Sequence, residues 1–331
     1  MKKILVTGAS GFIGSHIVEE ALQQGYDVWA AVRQSSSREF LKDERIHFTE
    51  LNLSSQQQLE EQLRTCQFDY VVHAAGATKC MQVEDFYRIN TEGTKNLVRA
   101  LLAVSMPIKR FVFVSSLSIM GAIREQQPYE EISDADTPQP NTAYGRSKLE
   151  AEHFLETLTD FPYVVLRPTG VYGPREKDYF LQVKSIKGHI DFAVGFQRQD
   201  ITFVYVTDVV QAVFLALEKG QTGHRYILSD GEVYQSATFS DYVHEELGRP
   251  WWIRITAPIW VLRIVTFCGE YWGRWTKKMT ALNNDKFNIL RQRNWRCDIG
   301  PARSELGYEP KVKLKEGVHN AVTWYKENGW I

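Results

Sequence analysis

The stretch TGASGFIGSHI sets Gly8, Gly11 and Gly14 three residues apart, directly after a short apolar run and directly before a helical pattern. No other feature constrains the fold so closely. Ile4–Val6 reads as a buried strand and Gly11–Gln24 as a helix, so the chain must turn sharply between them. Glycine permits that turn and lets backbone N–H groups come close to a ligand. The start of the following helix favours negative charge, so the unit fits a pyrophosphate.

The alternation continues. Val28–Val32, Ile46–Leu51, Tyr70–Ala75, Phe111–Val114 and Tyr163–Leu166 read as strands, separated by helical patterns over Gln56–Leu63, Asp85–Val104 and the segment that begins at Tyr144. Short apolar strands between amphipathic helices predict an α/β fold: a doubly wound parallel sheet (a Rossmann fold) covered on both faces. Pro168, Gly170, Gly173 and Pro174 then break the rhythm. Phe203–Val206 reads as one more strand of the sheet and Val209–Leu217 as its helix. From about Gly231 the pattern is mixed and rich in tryptophan. The expected organisation is interleaved, with residues 1–170 and 203–228 forming the dinucleotide-binding domain and residues 171–202 and 229–331 a smaller mixed substrate domain. A length of 331 residues suits either one large domain or two smaller ones.

Charge argues against several partners. Lys plus Arg (39) nearly balances Asp plus Glu (40), so nothing global favours nucleic acid or an anionic surface. The apolar run at the N-terminus stops after Val6, too soon for a signal-peptide core, and APIWVLRIVTFCG is short for a span and carries Arg263. Cys66, Cys80, Cys268 and Cys297 are scattered without metal-ligand spacing, so reduced thiols, a cytoplasmic location and no metal are expected.

The end of the second strand should meet the adenosine ribose, where an acid binds the 2′-hydroxyl and repels a 2′-phosphate. Here the acidic position is Val32, followed by Arg33, and Asp27 lies at the other end of the strand. Arg33 offers a fork of donors to a phosphate, with the hydroxyls of Ser35 and Ser36 beside it, so NADP(H) is favoured over NAD(H). Simple stacking of Arg33 on adenine would allow either.

Several motifs occur in order: TGASGFIG, HAAG (His73 to Gly76), NTEGTKNL (Asn90 to Leu97), FVSSLSIMG (Phe113 to Gly121), YGRSK (Tyr144 to Lys148), LRPTGVYGP (Leu166 to Pro174) and FVYVTDVVQA (Phe203 to Ala212). Together with CDIGPARSELGYEP and LKEGVHNAVTWYKENGW near the end, they resemble the extended short-chain dehydrogenase/reductases, the epimerase/dehydratase-like branch. Within it the chain is most similar to hydroxysteroid dehydrogenases and dihydroflavonol reductases. The resemblance implies an NAD(P)-dependent enzyme in which Tyr144 is the acid/base, Lys148 its helper and Ser116 the hydroxyl that orients the reacting oxygen, with Ser118 the next candidate. It implies dinucleotide contacts from Gly8, Ser10, Gly11, Phe12, Ile13, Gly14, Arg33, Ser35, Asn52, Leu53, Ala74, Ala75, Gly76, Val114, Tyr144, Lys148, Pro168, Thr169, Gly170 and Val171. Substrate contacts are expected from Thr78, Ser118 and Tyr172, and a homodimer is the expected assembly.

The chemistry of the pair is plausible in magnitude. A free phenol titrates near pH 10, and bringing it to neutrality takes roughly 4 kcal/mol. A cation about 4 Å away supplies a similar amount at an effective dielectric constant near 20. Lys148 is therefore expected to lower the Tyr144 pKa. Ser115 is expected to face the sheet, His73 to be a satisfied strand-end residue, Asn90 either to brace the site or to serve packing, and Arg167 and Asp208 to pair or cap.

Dehydratases of this branch place an Asp–Glu pair after the catalytic hydroxyl, where this chain has Leu117 and Ser118, and Met120 replaces a tyrosine, implying a less polar pocket wall. Three functions stay open: a reductase or dehydrogenase for a bulky, steroid- or flavonoid-like substrate, a nucleotide-sugar epimerase or reductase using Arg175, Lys177, Lys184 and Arg198, and a non-catalytic dinucleotide-sensing scaffold. Trp251, Trp252, Trp260, Trp272 and Trp275 read as an aromatic substrate wall, as a packed core or oligomer contact, or as a membrane-facing segment flanked by Arg254, Arg263, Arg274, Lys277 and Lys278. Membrane contact is not the expected reading.

Overall fold

The computed structural model describes residues 1–248, 251–276 and 284–331, with side chains left out for 270–276. Trp272, Trp275, Arg274, Lys277 and Lys278 therefore lie outside the residues whose side chains are described.

Six strands follow in order through the first half: β1 Lys3–Thr7, β2 Asp27–Ala31, β3 His47–Thr49, β4 Tyr70–His73, β5 Arg110–Val114 and β6 Tyr163–Pro168. Short pairs come next: β7 Gly170–Tyr172, β8 Ile190–Val194, β9 Asp200–Ile201 and β10 Phe203–Tyr205. The last three are β11 Arg225–Leu228, β12 Tyr234–Gln235 and β13 Ile253–Ala257. The central sheet has seven strands in the order β11-β6-β5-β4-β1-β2-β3. Every neighbouring pair in it is parallel. The order reverses between β1 and β4, the crevice where a doubly wound sheet binds its ligand.

The expectation for Phe203–Val206 needs correcting. β10 pairs with β7 in a separate two-stranded sheet, and β11 fills the seventh place beside β6. An apolar run announces a buried strand but does not say which sheet buries it.

Helices α1 Phe12–Gln23, α2 Gln56–Leu63, α3 Val83–Phe86, α4 Gly93–Ala103, α5 Ala143–Glu156 and α6 Asp178–Lys187 precede α7 Val206–Lys219. α8 Thr238–Leu247, α9 Ile259–Thr276, α10 Asn284–Arg291 and α11 Leu314–Glu327 complete the set. The expected helix over 85–104 is interrupted by a wider π turn, Tyr87–Glu92, which carries Asn90. The two sheet faces bury separate cores. One holds Ile4, Val6, Ile17, Val28, Val72, Val112 and Val213. The other holds Leu5, Val71, Leu97, Phe111, Phe113 and Leu155. This is the period-two alternation of a sheet buried on both faces.

A third core gathers Tyr172, Phe203, Tyr205, Phe239, Val318 and Tyr325. Tyr172, expected at the substrate, is 1% exposed there. Its ring stands edge-on to Tyr179, Phe203, Tyr205 and Phe239, so it is a packing residue. Met120 is likewise wholly buried in the first core and lines no open wall. Trp251, Trp252 and Trp260 are 57%, 41% and 67% exposed, so these three do not form a packed core.

Candidate active site

The glycine turn closes upon itself. Gly8 has a φ of +68°, and a Cβ there would lie 2.7 Å from Ala75, while one on Gly14 would lie 2.1 Å from the Gly8 carbonyl. Only glycine fits either place. The Gly11 amide donates to the Gly8 carbonyl at 2.9 Å, and α1 begins with neither a side-chain cap nor an acid in its first turn. The leading N–H groups at Phe12, Ile13 and Gly14 therefore point out of the helix start, as a phosphate requires. Ser10 is half-buried beside them, and Ala74, Ala75 and Gly76 continue β4 past the same turn. A Cβ on Gly76 would come within 3.1 Å of both Asn90 Oδ1 and Lys148 Nζ, which ties this edge to the reacting end of the site.

That end is built by α5 and the turn after β5. Thr142 caps α5, its hydroxyl accepting from the Gly145 amide at 2.9 Å. Tyr144, Lys148 and Glu152 follow at four-residue intervals and share one face of the helix. The glycine between tyrosine and lysine has a packing cause: a Cβ on Gly145 would stand 2.5 Å from the Ser118 carbonyl. Its absence lets α5 press against the turn that carries Ser116. Ser116 caps that turn, its oxygen accepting from the Ser118 amide at 3.1 Å, and its hydroxyl hydrogen-bonds the Tyr144 phenol.

Lys148 is 3% exposed and donates to the Val114 carbonyl at 2.9 Å, with its ammonium 4.7 Å from the centre of the Phe113 ring. Burial pulls this amine down to about 8, and the Glu152 carboxylate opposes the fall. Burial pushes the Tyr144 phenol up to about 12, with the Ser116 hydrogen bond acting against it. The expected lowering of the phenol by Lys148 is not seen: the loss of hydration dominates, and what opposes it is the Ser116 hydrogen bond rather than the ammonium one helical turn away. The phenol is neutral at pH 7, the form that gives a proton away.

Behind Lys148 lies an ion network. Glu152 and Arg167 are each 1% exposed and joined at 2.6 Å, and Arg167 also holds Asp134 at 2.8 Å. Ser115 donates to Glu152 from beneath, so it faces the helix and not the cleft. Arg167 is a structural ion-pairing residue, and Asp208 caps the chain at Lys311 and Val312. His73 is fully buried, its ring nitrogens bonded to Thr7 and Thr94 at 2.6 and 2.9 Å, and burial holds it neutral. Asn90 braces the site: it accepts from the Ala77 amide at 2.7 Å and donates to Ser147 on α5 at 2.9 Å. The π turn points this amide at both.

Other expected contacts are placed less simply. Arg33 and Ser35 are exposed beyond β2, and among the described residues no acid pairs with Arg33. Asn52 is exposed, and its side-chain oxygen caps Ser54 at 3.1 Å, a local turn that leaves little for adenine. Leu53 packs instead against Gly93. Val114 spends its carbonyl on Lys148. Pro168 closes β6 and is buried. Thr169 is buried, its hydroxyl on Thr202 at 2.9 Å and its amide on the Leu228 carbonyl at 3.0 Å, while Gly170 and Val171 are half-buried in β7. Thr78 is exposed and Ser118 half-buried.

The pattern of the NAD dependent epimerase/dehydratase family matches residues 4–229. This chain belongs to that family. It is therefore an NAD(P)-dependent enzyme of the extended short-chain dehydrogenase/reductase type. A UDP-glucose 4-epimerase from Vibrio cholerae is 28% identical, over 96% of this chain and 93% of that protein. A decarboxylating sterol-4-alpha-carboxylate 3-dehydrogenase from Dictyostelium discoideum is 25% identical, over 96% and 99%. The crystal structure of a UDP-glucose 4-epimerase from Thermotoga maritima superposes with a TM-score of 0.78 at 24% identity, covering 98% of this chain and 99% of that one.

Two residues of this family member escaped sequence reasoning. Glu152 was legible in principle, since it continues the four-residue spacing of Tyr144 and Lys148. Asp285 was not. From α10 its carboxylate accepts the amides of Ala143 at 3.0 Å and Tyr144 at 3.2 Å, across more than 140 residues of chain. An anion there satisfies the two leading donors of α5 and opposes the positive end of the helix. We expect Asp285→Ala to lower kcat about tenfold through loss of orientation at Tyr144, with dinucleotide Kd unchanged. Asp285→Asn, which keeps one acceptor, should recover part of the loss. A change confined to KM would instead place the carboxylate on the substrate.

Proposed function

We propose that this enzyme interconverts a hydroxyl and a ketone on a bulky apolar substrate, of steroid or flavonoid class, using NADP(H). The observation that carries the reading is the surroundings of Ser116, Tyr144 and Lys148. Elimination chemistry needs carboxylates directly after the orienting hydroxyl, and Leu117, buried, and Ser118 stand there. A nucleotide diphosphate needs converging cations, yet Arg175 is held by Ser15 and Glu19 and stacks on Phe40, and Arg198 is held by Asp200. The sterol dehydrogenase relative supports a fused-ring substrate, and the UDP-glucose epimerase relative supports the second reading, a nucleotide-sugar epimerase.

When bound, the dinucleotide supplies or accepts the hydride. Residues Gly8 to Gly14 fit its pyrophosphate, Gly76 its passage towards Lys148, and Thr169 to Val171 its far end. In the reducing direction Ser116 orients the substrate carbonyl by hydrogen bonding its oxygen. Tyr144 then releases its phenolic proton to that oxygen as the carbonyl carbon gains hydride, so the ketone becomes an alcohol. The ammonium of Lys148, held charged by Glu152, stabilises the phenolate left behind. Running as a base, Tyr144 begins about five units above neutrality, a penalty of about 7 kcal/mol that added positive charge must offset. The free site is thus better prepared for reduction.

The NADP(H) preference is supported by the exposed Arg33, which follows a strand end lacking an acid. Arg33→Ala is expected to weaken NADPH binding by about 10- to 100-fold, the worth of a charge-assisted contact, and to leave NADH binding nearly unchanged. Titration of both reduced dinucleotides by fluorescence measures this, and equal effects on the two would remove the 2′-phosphate from Arg33. The substrate class is tested with NADPH saturating, across steroid ketones, flavonoid ketones, small ketones and UDP-sugars. Turnover of a UDP-sugar alone, with the dinucleotide retained, would install the epimerase reading.

A further inference from the structure

The β8–β13 ribbon has its polarity turned inside out. Its register pairs Ile253 with Ile190 and Ile255 with Phe192, so these four share one face. That face is open: Ile190, Phe192, Ile253 and Ile255 are 39%, 61%, 58% and 45% exposed. The opposite face is charged, and its acid is covered. Asp191 is 1% exposed and takes Arg254 at 2.7 Å and the Ser240 hydroxyl at 2.9 Å. A ribbon facing water carries the reverse arrangement. Pro258 alone separates β13 from α9, whose Trp260, Ile264 and Phe267 recur at helical spacing and are 67%, 55% and 72% exposed, while Leu262 and Thr266 turn inward. Such a concentration of apolar side chains marks a docking surface.

Charge selects the occupant. Arg254 is taken up by Asp191 and Asp241, but from Ile255 to Asn283 the sequence holds four further basic residues, Arg263, Arg274, Lys277 and Lys278, against one acid, Glu270, in a chain of net charge −1. A second copy docked through the same patch about a two-fold axis would set this cationic segment against itself. A surface both apolar below and anionic above meets both demands, and among the described residues no helix is long and apolar enough to cross it. We propose that the outward face of the β8–β13 ribbon and α9 seats this enzyme peripherally on an anionic lipid bilayer. α9 packs on α10, whose Asp285 holds the Tyr144 amide. The inference stands whatever the substrate proves to be.

Co-sedimentation of the full chain with vesicles tests it, comparing phosphatidylcholine alone with vesicles containing about one third phosphatidylglycerol. The expected result is partition at least about tenfold stronger on the anionic vesicles, weakened by salt. The triple variant Phe192→Ser, Ile255→Ser, Phe267→Ser should lose that partition at least about tenfold, while circular dichroism and dinucleotide affinity stay those of the parent. These positions are exposed, so the fold does not depend on them. Absence of binding to either vesicle, or binding that the triple variant retains in full, overturns the proposal. A dimer in light scattering that the triple variant dissolves, without vesicle binding, overturns it in favour of a second copy.

Discussion

The Tyr144→Phe enzyme is expected to turn over about a thousandfold more slowly while binding dinucleotide like the parent. The substitution removes one oxygen, which Ser116 contacts and which still carries its proton at neutral pH. The ring stays, beside Phe86, so packing is kept. The pH profile adds a second readout. The Lys148 pKa is lowered to about 8, so its charge is present below that value and lost above it. The kcat/KM of the parent in the reducing direction should therefore fall as pH rises through about 8. Single-turnover kinetics and isothermal titration separate chemistry from binding. Residual turnover within tenfold of the parent would remove Tyr144 from proton transfer.

Glu152→Gln should be the most destabilising of the conservative changes near the site. Glu152 is a buried carboxylate shared by Arg167 and Ser115, and its neutralisation leaves the Arg167 guanidinium, itself 1% exposed, with Asp134 as its remaining acid. Removing one partner from a buried ion pair costs about 3 to 5 kcal/mol. Chemical denaturation measures that directly. The same substitution removes the charge that holds the Lys148 pKa up, so the alkaline limb of kcat/KM should move to lower pH. Loss of stability with an unmoved limb would show that the network serves the fold alone. No loss of stability would show that Arg167 is satisfied without Glu152.

Local signals carried far in this chain. Gly8 and Gly14 were legible because a missing Cβ leaves a spacing in the sequence, and the strand and helix on either side supplied the context. Tyr144 and Lys148 were legible because a helix turns four residues into one face. What failed was whatever depends on contact between distant segments. The apolar run at Phe203 announced a strand, but its partner is β7, and only the folded chain shows that β11 completes the sheet. Tyr172 has the composition of a binding residue and the surroundings of a core residue. The Tyr144 pKa went astray because helix geometry counts neighbouring charges but not lost water. Asp285 has no signal in the stretch that it serves.

That last contact joins the middle of the chain to its C-terminal third in a way that bears on how such enzymes diverge. The family pattern stops at residue 229, yet the leading amides of α5 are satisfied by a carboxylate at 285. The C-terminal third is thus no freely exchangeable module. A chimaera that grafts this region from a relative retains an ordered proton donor only when the incoming segment brings its own acceptor to the start of that helix.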